Sequence, residues 1–238
     1  MNGNLLKNIF VQTQNAKSFI TAMKEAERAA GEPRLLVFWG QAGRGKTTAA
    51  RFFSAQEGWT YCRAKTLWSE LWMLQDLCFE LKVDPVPKRK KPCFEAIVAR
   101  LEDDPDTVIV LDEADKVSAS ALEVIRDLAD ITCVPWALVG EKLIMHKMKR
   151  ERRIWSRTLK AVGFGPISAV DVLYFAKEAA GLKLSAAQGK RIEEAAEGDF
   201  RLVVRDIRRI KEIMIASGHN DPNDDVIKRA LAQGLRGN

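Results

Sequence analysis

The 238 residues contain little that could hold a metal ion: two histidines, His146 and His219, and four cysteines, Cys62, Cys78, Cys93 and Cys133. The cysteines are too far apart for a CxxC pair, which excludes a thiol redox centre and makes a cation site built from protein ligands alone improbable. They read as small buried hydrophobes, a usage that suits a reducing cytoplasm. Long apolar runs are missing too. Leu35–Trp39 and Val108–Leu111 fall far short of the roughly 20 residues a membrane-spanning helix needs, so no membrane partner is expected. The opening Met1-Asn2-Gly3-Asn4 lacks a charged segment leading into an apolar one, from which a cytoplasmic location is expected. There is no internal repeat and no low-complexity tract.

What is present is an ordinary packed composition, 47% hydrophobic, of a length that supports one α/β domain with a smaller appendage. The net charge of +6 is modest but uneven. Lys142 to Lys160 holds eight basic side chains (Lys142, Lys147, Lys149, Arg150, Arg152, Arg153, Arg157, Lys160) against Glu151, a local +7 that leaves the other 219 residues at −1. Smaller basic concentrations lie at Lys88-Arg89-Lys90-Lys91 and from Arg201 to Lys211. A polyanionic partner responds to such clustering more than to the total, although any one cluster is as readily a solvated helix face.

Apolar spacing at Phe19, Met23, Ala26 and Ala30 predicts an amphipathic helix over 14–30, closed by Gly31-Glu32-Pro33. Leu35–Trp39 is short, apolar and bounded by Pro33 and Gly40, and reads as a buried parallel strand. Further strands are expected at Thr60–Cys62, Thr107–Leu111, Trp136–Val139 and Ala161–Phe164. Helices are expected from about Gly45, over Thr66–Leu81, Phe94–Leu101 and Ala119–Ala129. Three prolines between Val83 and Pro92 predict an exposed basic loop there. Alternating strands and helices specify a parallel sheet with helices on both faces. After Gly165-Pro166 only helices follow, at about 168–180, 185–196, 200–217 and 223–233, with turns at Gly181, Gly198 and Gly218. The expected division is therefore a lead-in over 1–33, an α/β core over 34–165 and a helical subdomain over 166–238.

Gly40-Gln41-Ala42-Gly43-Arg44-Gly45-Lys46-Thr47 fits GxxxxGK[ST] and lies between a buried strand and a helix. Glycines let successive N–H groups and a helix N-terminus wrap the oxygens of a nucleoside triphosphate; Lys46 adds a point charge, and the Thr47 hydroxyl is a Mg²⁺ ligand, with Thr48 next in line. A chance match in a chain this long is on the order of one in a hundred. Val108–Leu111 then delivers Asp112 and Glu113 at a strand end. Asp112 is suited to hold Mg²⁺ through water and Glu113 to polarise the water that attacks the γ-phosphate, where acids serving only as a helix cap are the plainer alternative.

With Asp112-Glu113-Ala114-Asp115, the fourth strand's Ala137-Leu138-Val139-Gly140, a basic helix and a helical lid, nearly the whole chain resembles an AAA+ ATPase. The wording is most similar to the DNA-transposition regulators, the group that includes the phage Mu B protein, TnsC and IstB, with origin-recognition-like ATPases as neighbours. The resemblance implies a P-loop AAA+ fold, a five-stranded parallel sheet with a C-terminal helical lid, ATP and Mg²⁺ as cofactors, and a ring or filament in which a neighbour supplies an arginine. Arg157 stands at the matching position, with Arg153 as the second candidate. Gly198-Asp199-Phe200-Arg201 matches the lid motif, making Arg201 the expected cis contact to the γ-phosphate; Phe10 and Val11 are candidates for the adenine pocket. The family's DNA-facing loops correspond to Lys65 and Thr66 and to Lys88, Arg89, Lys90 and Lys91. About 33 residues precede the first strand, too few for the extra N-terminal DNA-binding module of phage Mu B, so DNA contact is expected from the core. One departure is Gly140-Glu141, where such proteins place Asn, Thr or Ser; an acid there implies slow hydrolysis. The implied function is an ATP-dependent, sequence-tolerant DNA-binding ATPase that oligomerises on double-stranded DNA and recruits a transposase. The alternatives are a switch or remodelling ATPase acting on an acidic protein, or an origin-recognition-like DNA loader.

Overall fold

The computed structural model describes residues 5–29, 32 and 34–234, which fall into two compact units. The expected end of the first helix, at Ala30, Gly31 and Pro33, lies outside the described residues.

The larger unit comprises the described residues of 14–41 and 46–164. In chain order it contains α1 (Gln14–Arg28), β1 (Arg34–Gly40), α2 (Lys46–Glu57), β2 (Thr60–Arg63), α3 (Glu70–Glu80), α4 (Lys90–Asp103) and β3 (Ile109–Asp112). A single 3₁₀ turn (Ala114–Lys116), α5 (Ala119–Thr132), β4 (Pro135–Gly140), α6 (Lys142–Arg150), α7 (Arg152–Trp155) and β5 (Thr158–Phe164) complete it. The five strands form one parallel sheet in the order β2-β3-β4-β1-β5, as the alternation of apolar runs and helices requires. The central strands are buried nearly throughout, with Leu35, Leu36, Val37, Ile109, Val110, Leu138 and Trp136 at 0% exposure. Each such side chain contributes about 1.5–3 kcal/mol relative to exposure. On α1, Phe19 lies on Phe38 of β1 with ring centroids 4.3 Å apart.

Three elements start three residues or more away from expectation, each for a local reason. Helix α3 begins at Glu70 rather than Thr66, because Lys65–Trp68 closes a turn (Trp68 N to Lys65 O, 3.1 Å) and Ser69 caps the helix by accepting from Trp72 N. Helix α4 starts inside the expected proline loop, at Lys90. Pro92 falls in its first turn, where backbone N–H groups have no intrahelical partner to lose. Strand β5 begins at Thr158 rather than Ala161: it is the sheet's edge, with Leu159 and Lys160 exposed, and Lys160 interrupts the apolar run that marks a buried strand.

The smaller unit gathers, among the described residues, 5–13, 42–45 and 165–234. It holds α8 (Ala169–Ala180), α9 (Ala186–Ala195), α10 (Phe200–Ser217) and α11 (Asp224–Gly234). Ser168 with Asp171 and Ser185 with Gln188 form reciprocal capping boxes on α8 and α9. Gly181 and Gly218 end α8 and α10 in the left-handed region at φ 70° and 67°. Leu6 and Val11 join Val172, Ile192, Val203 and Ile207 in this unit's core, so Val11 packs as a core side chain here.

Candidate nucleotide site

Strand β1 ends in Gly40, where a Cβ would come within 2.6 Å of the Phe164 carbonyl oxygen, so the first glycine of the loop is needed for strand packing. Gly43 and Gly45 turn the chain with φ 75° and 86°, which side chains resist. Helix α2 opens on Lys46, a residue 8% exposed whose ammonium donates to the carbonyls of Gly40 (2.9 Å) and Gln41 (2.8 Å). Thr47 follows, half-buried, and Thr48 is exposed. The loop's lysine is thereby held over the N-terminus of α2, where unpaired N–H groups and the helix dipole favour phosphate.

The tip of the loop clusters with the smaller unit. Gly43 O accepts from Phe200 N (2.9 Å), and a Cβ on Gly43 would collide with the Asp199 carboxylate at 2.1 Å. Arg44, 8% exposed, donates to Glu197 O at 2.8 Å. Gln41 and Ala42 are exposed. Asp199 caps α10 by accepting from Arg201 N (2.7 Å), which fixes Arg201 in the first turn; its side chain is exposed and makes no ion pair among the described residues.

At the end of β3 the two acids differ sharply. Asp112 is 1% exposed. Its Oδ1 accepts from Glu113 N (2.9 Å) and its Oδ2 from the Tyr61 hydroxyl (2.9 Å). Burial, and then the Asp112 charge, push the Tyr61 phenol well above its ordinary value, so it stays a donor. Glu113 sits in the left-handed region at φ 55°, a strained conformation of the kind found at functional sites. Its carboxylate is paired with Arg63 and with Lys116. Burial alone would raise its pKa, but the hydrogen bonds from Lys116 and Arg63 outweigh that and hold it below the ordinary carboxyl value. Tyr61, Arg63 and Lys116 were not singled out by the motif. Strand alternation was the available signal, since Tyr61 and Arg63 share one face of β2 while Cys62 turns into the core.

Oxygen ligands are what Mg²⁺ takes, with one or two protein groups supplemented by phosphates and water. The Thr47 hydroxyl and the Asp112 carboxylate, which keeps lone pairs beyond its two hydrogen bonds, fit that donor set.

Around β4, a Cβ on Gly140 would lie 2.6 Å from Asp115 Oδ1, and that same oxygen accepts from Glu141 N at 2.9 Å. Glu141 is exposed at the start of α6, with no capping bond from its side chain. Lys147 donates to the carbonyls of Asp115 and Val117, so one member of the basic cluster is structural. Arg157 is paired with Asp130 (Nε to Oδ2, 3.1 Å), whereas Arg153 is exposed and makes no ion pair among the described residues. Of the six expected DNA contacts, Thr66 is exposed on the Lys65–Trp68 turn, and Lys88 and Arg89 are exposed without ion pairs among the described residues. Lys65, Lys90 and Lys91 are paired with Asp76 (2.5 Å), Glu70 (2.6 Å) and Glu95 (3.6 Å).

The chain is 32% identical over 171 residues to the ATP-dependent target DNA activator B of Escherichia phage Mu, covering 68% of this chain and 54% of that protein. It is 25% identical over 160 residues to the Mu-like prophage FluMu DNA transposition protein B of Haemophilus influenzae, 63% of this chain and 54% of the relative. It thus spans about half the length of these curated relatives. Among solved structures, Cdc6p from Pyrobaculum aerophilum superposes with a TM-score of 0.71 at 15% identity, over 100% of this chain and 71% of that one, a likeness of fold. The AAA domain family matches residues 28–148, the span that carries the glycine-rich loop, both acids and β4. This chain therefore belongs to the AAA domain family of P-loop ATPases.

Proposed function

We propose that this chain is an ATP-dependent DNA-binding ATPase of the cytoplasm that assembles on duplex DNA as a ring or filament and activates a transposase there. The observation that carries the reading is the 32% identity to a protein named as an ATP-dependent target DNA activator. The nucleotide site supports it.

In this reading ATP bound with Mg²⁺ supplies the phosphoanhydride to be cleaved, and the chain's residues bind and orient it. Lys46 exchanges its carbonyl partners for phosphate oxygens, and the N–H groups of 43–47 add to that cradle. Thr47 and Asp112 offer the cation its protein oxygens. Glu113 accepts the proton of the attacking water, which requires that it leave Arg63 and Lys116. Arg201 contacts the γ-phosphate from the same chain, and Arg157 or Arg153 reaches a neighbour's site. Turnover is slow, because Glu141 offers an exposed acid where a neutral water-orienting side chain would serve better. Lys88, Arg89, Thr66, Lys65, Lys90 and Lys91 contact DNA phosphates without reading bases. The last three give up exposed ion pairs worth about 0–1 kcal/mol each.

Sedimentation and negative-stain imaging with a slowly hydrolysed ATP analogue and duplexes of unrelated sequence test this. Nucleotide-dependent assemblies on every duplex, weakening steeply with salt, are expected. A protein that stays monomeric and DNA-free under ATP analogue sinks the proposal, and indifference to DNA favours an acidic protein partner.

A further inference from the structure

Asp112 is a buried carboxylate held by two hydrogen bonds of different kinds. One comes from the backbone N–H of the next residue and is part of the turn itself. The other comes from a single phenol on the edge strand: Tyr61 stands opposite Val110 in the β2–β3 register, and its length carries the hydroxyl to Asp112, two residues further along β3. No other side chain donates to Asp112 among the described residues. A carboxylate with one oxygen tied only to its own turn can rotate about its Cβ–Cγ bond; the second tie, to Oδ2, removes that freedom. With Oδ2 bonded to Tyr61 and Oδ1 to Glu113 N, the lone pairs left over are fixed in direction.

We infer that Tyr61 is a positioning residue for the nucleotide's cation: its hydroxyl locks the Asp112 carboxylate in one orientation and so sets how tightly the chain holds Mg²⁺ together with ATP. This rests on the ATP and Mg²⁺ reading above and adds a residue that neither the glycine-rich loop nor the acidic strand end contains. Partners that orient a metal-bound or metal-facing ligand typically control affinity by 10–100-fold, without touching the ion. A purely structural bond would affect only folding stability.

The chain has two tyrosines, Tyr61 and Tyr174, and Tyr174 lies on α8 in the other unit. Protein made with 3-fluorotyrosine therefore gives two ¹⁹F resonances, assigned by Tyr174→Phe. Adding Mg²⁺ to the ATP-bound protein is expected to shift the Tyr61 resonance; a Tyr61 signal that does not move overturns the inference. In parallel, binding of a fluorescent ATP analogue is titrated with Mg²⁺. Tyr61→Phe is expected to raise the half-saturating Mg²⁺ about tenfold while affinity for metal-free nucleotide stays, and an unchanged Mg²⁺ requirement overturns the assignment. In an Asp112→Asn background, Tyr61→Phe should add nothing; a further shift there also counts against it. If wild type shows no Mg²⁺-dependent nucleotide binding at all, the ATP and Mg²⁺ reading fails, a result distinct from these.

Discussion

Arg63, the last residue of β2, and Glu113, the first residue after β3, form an ion pair that Lys116 completes from the other side. The candidate base is thus engaged by two cations within its own chain. The arginine side chain is 59% exposed, so the pair is screened and worth at most about 1 kcal/mol. Little free energy separates the engaged base from a free one.

Arg63→Ala should therefore raise basal ATP hydrolysis several-fold, because one of the two cations that occupy Glu113 is gone. Phosphate release measures the rate and thermal denaturation the stability, which should change by less than about 1 kcal/mol. A fall in rate would mean that Arg63 assists the reaction.

The same pairing sets a pH dependence. A carboxyl whose folded pKa is depressed stays ionised above that value, and the stability it lends is present above the unfolded pKa and lost as pH falls through the folded one. Glu113 is depressed below 4.5. The acid limb of hydrolysis should therefore lie below the ordinary carboxyl value, and in Arg63→Ala it moves to higher pH. A wild-type acid limb above pH 4.5 that shifts with Glu113→Asp would contradict the pairing.

Binding and chemistry should separate cleanly. Lys46→Ala removes the ammonium held over the N-terminus of α2 and should abolish nucleotide-dependent assembly. Glu113→Gln keeps a side chain of the same shape and should bind nucleotide and assemble while hydrolysis falls about 10²–10⁴-fold. Analogue binding and phosphate release, measured on both variants, check this; identical behaviour would refute the division of roles.

Much of this site was legible in the sequence because its parts are consecutive. A loop of fixed spacing from Gly40 to Thr47 and two acids after an apolar strand can be read without knowing the fold. So could the parallel sheet, since β1, β3 and β4 are buried on both faces and read as unbroken apolar runs. The pairings across it could not: Tyr61 meets Asp112 and Arg63 meets Glu113 across about 50 residues, through a strand register no local pattern encodes. The same holds for charge. The excess in Lys142–Lys160 is plain in the sequence, yet only the structure shows Lys147 spent on carbonyls and Arg157 spent on Asp130.

Gly140→Ala should destabilise the larger unit by about 1–3 kcal/mol. The new methyl would meet Asp115 Oδ1 at 2.6 Å and Asp115 N at 3.0 Å, and the second is backbone with little room to move. Displacing Asp115 also strips Glu141 N of its acceptor at the start of α6. Urea denaturation gives the magnitude, and a neutral result would mean the turn at Asp115 shifts freely.

Whether the proposed assembly brings an arginine to a neighbour's site, and which one, can be decided by mixing inactive chains. If one copy's Glu113 works with another copy's arginine, then Glu113→Gln and Arg157→Ala, each inactive alone, should regain hydrolysis when co-assembled, because some interfaces pair an intact Glu113 with an intact arginine. An arginine acting on its own chain's nucleotide gives no such recovery. A contribution of 10³–10⁵-fold in rate is typical of such a residue, so recovery stands far above background. Arg157 must leave Asp130 to act in this way, whereas Arg153 has no such tie among the described residues. Asp130→Asn should accordingly speed hydrolysis if Arg157 is the contributor and leave the rate unchanged if Arg153 is, and the same mixing experiment with Arg153→Ala decides between them.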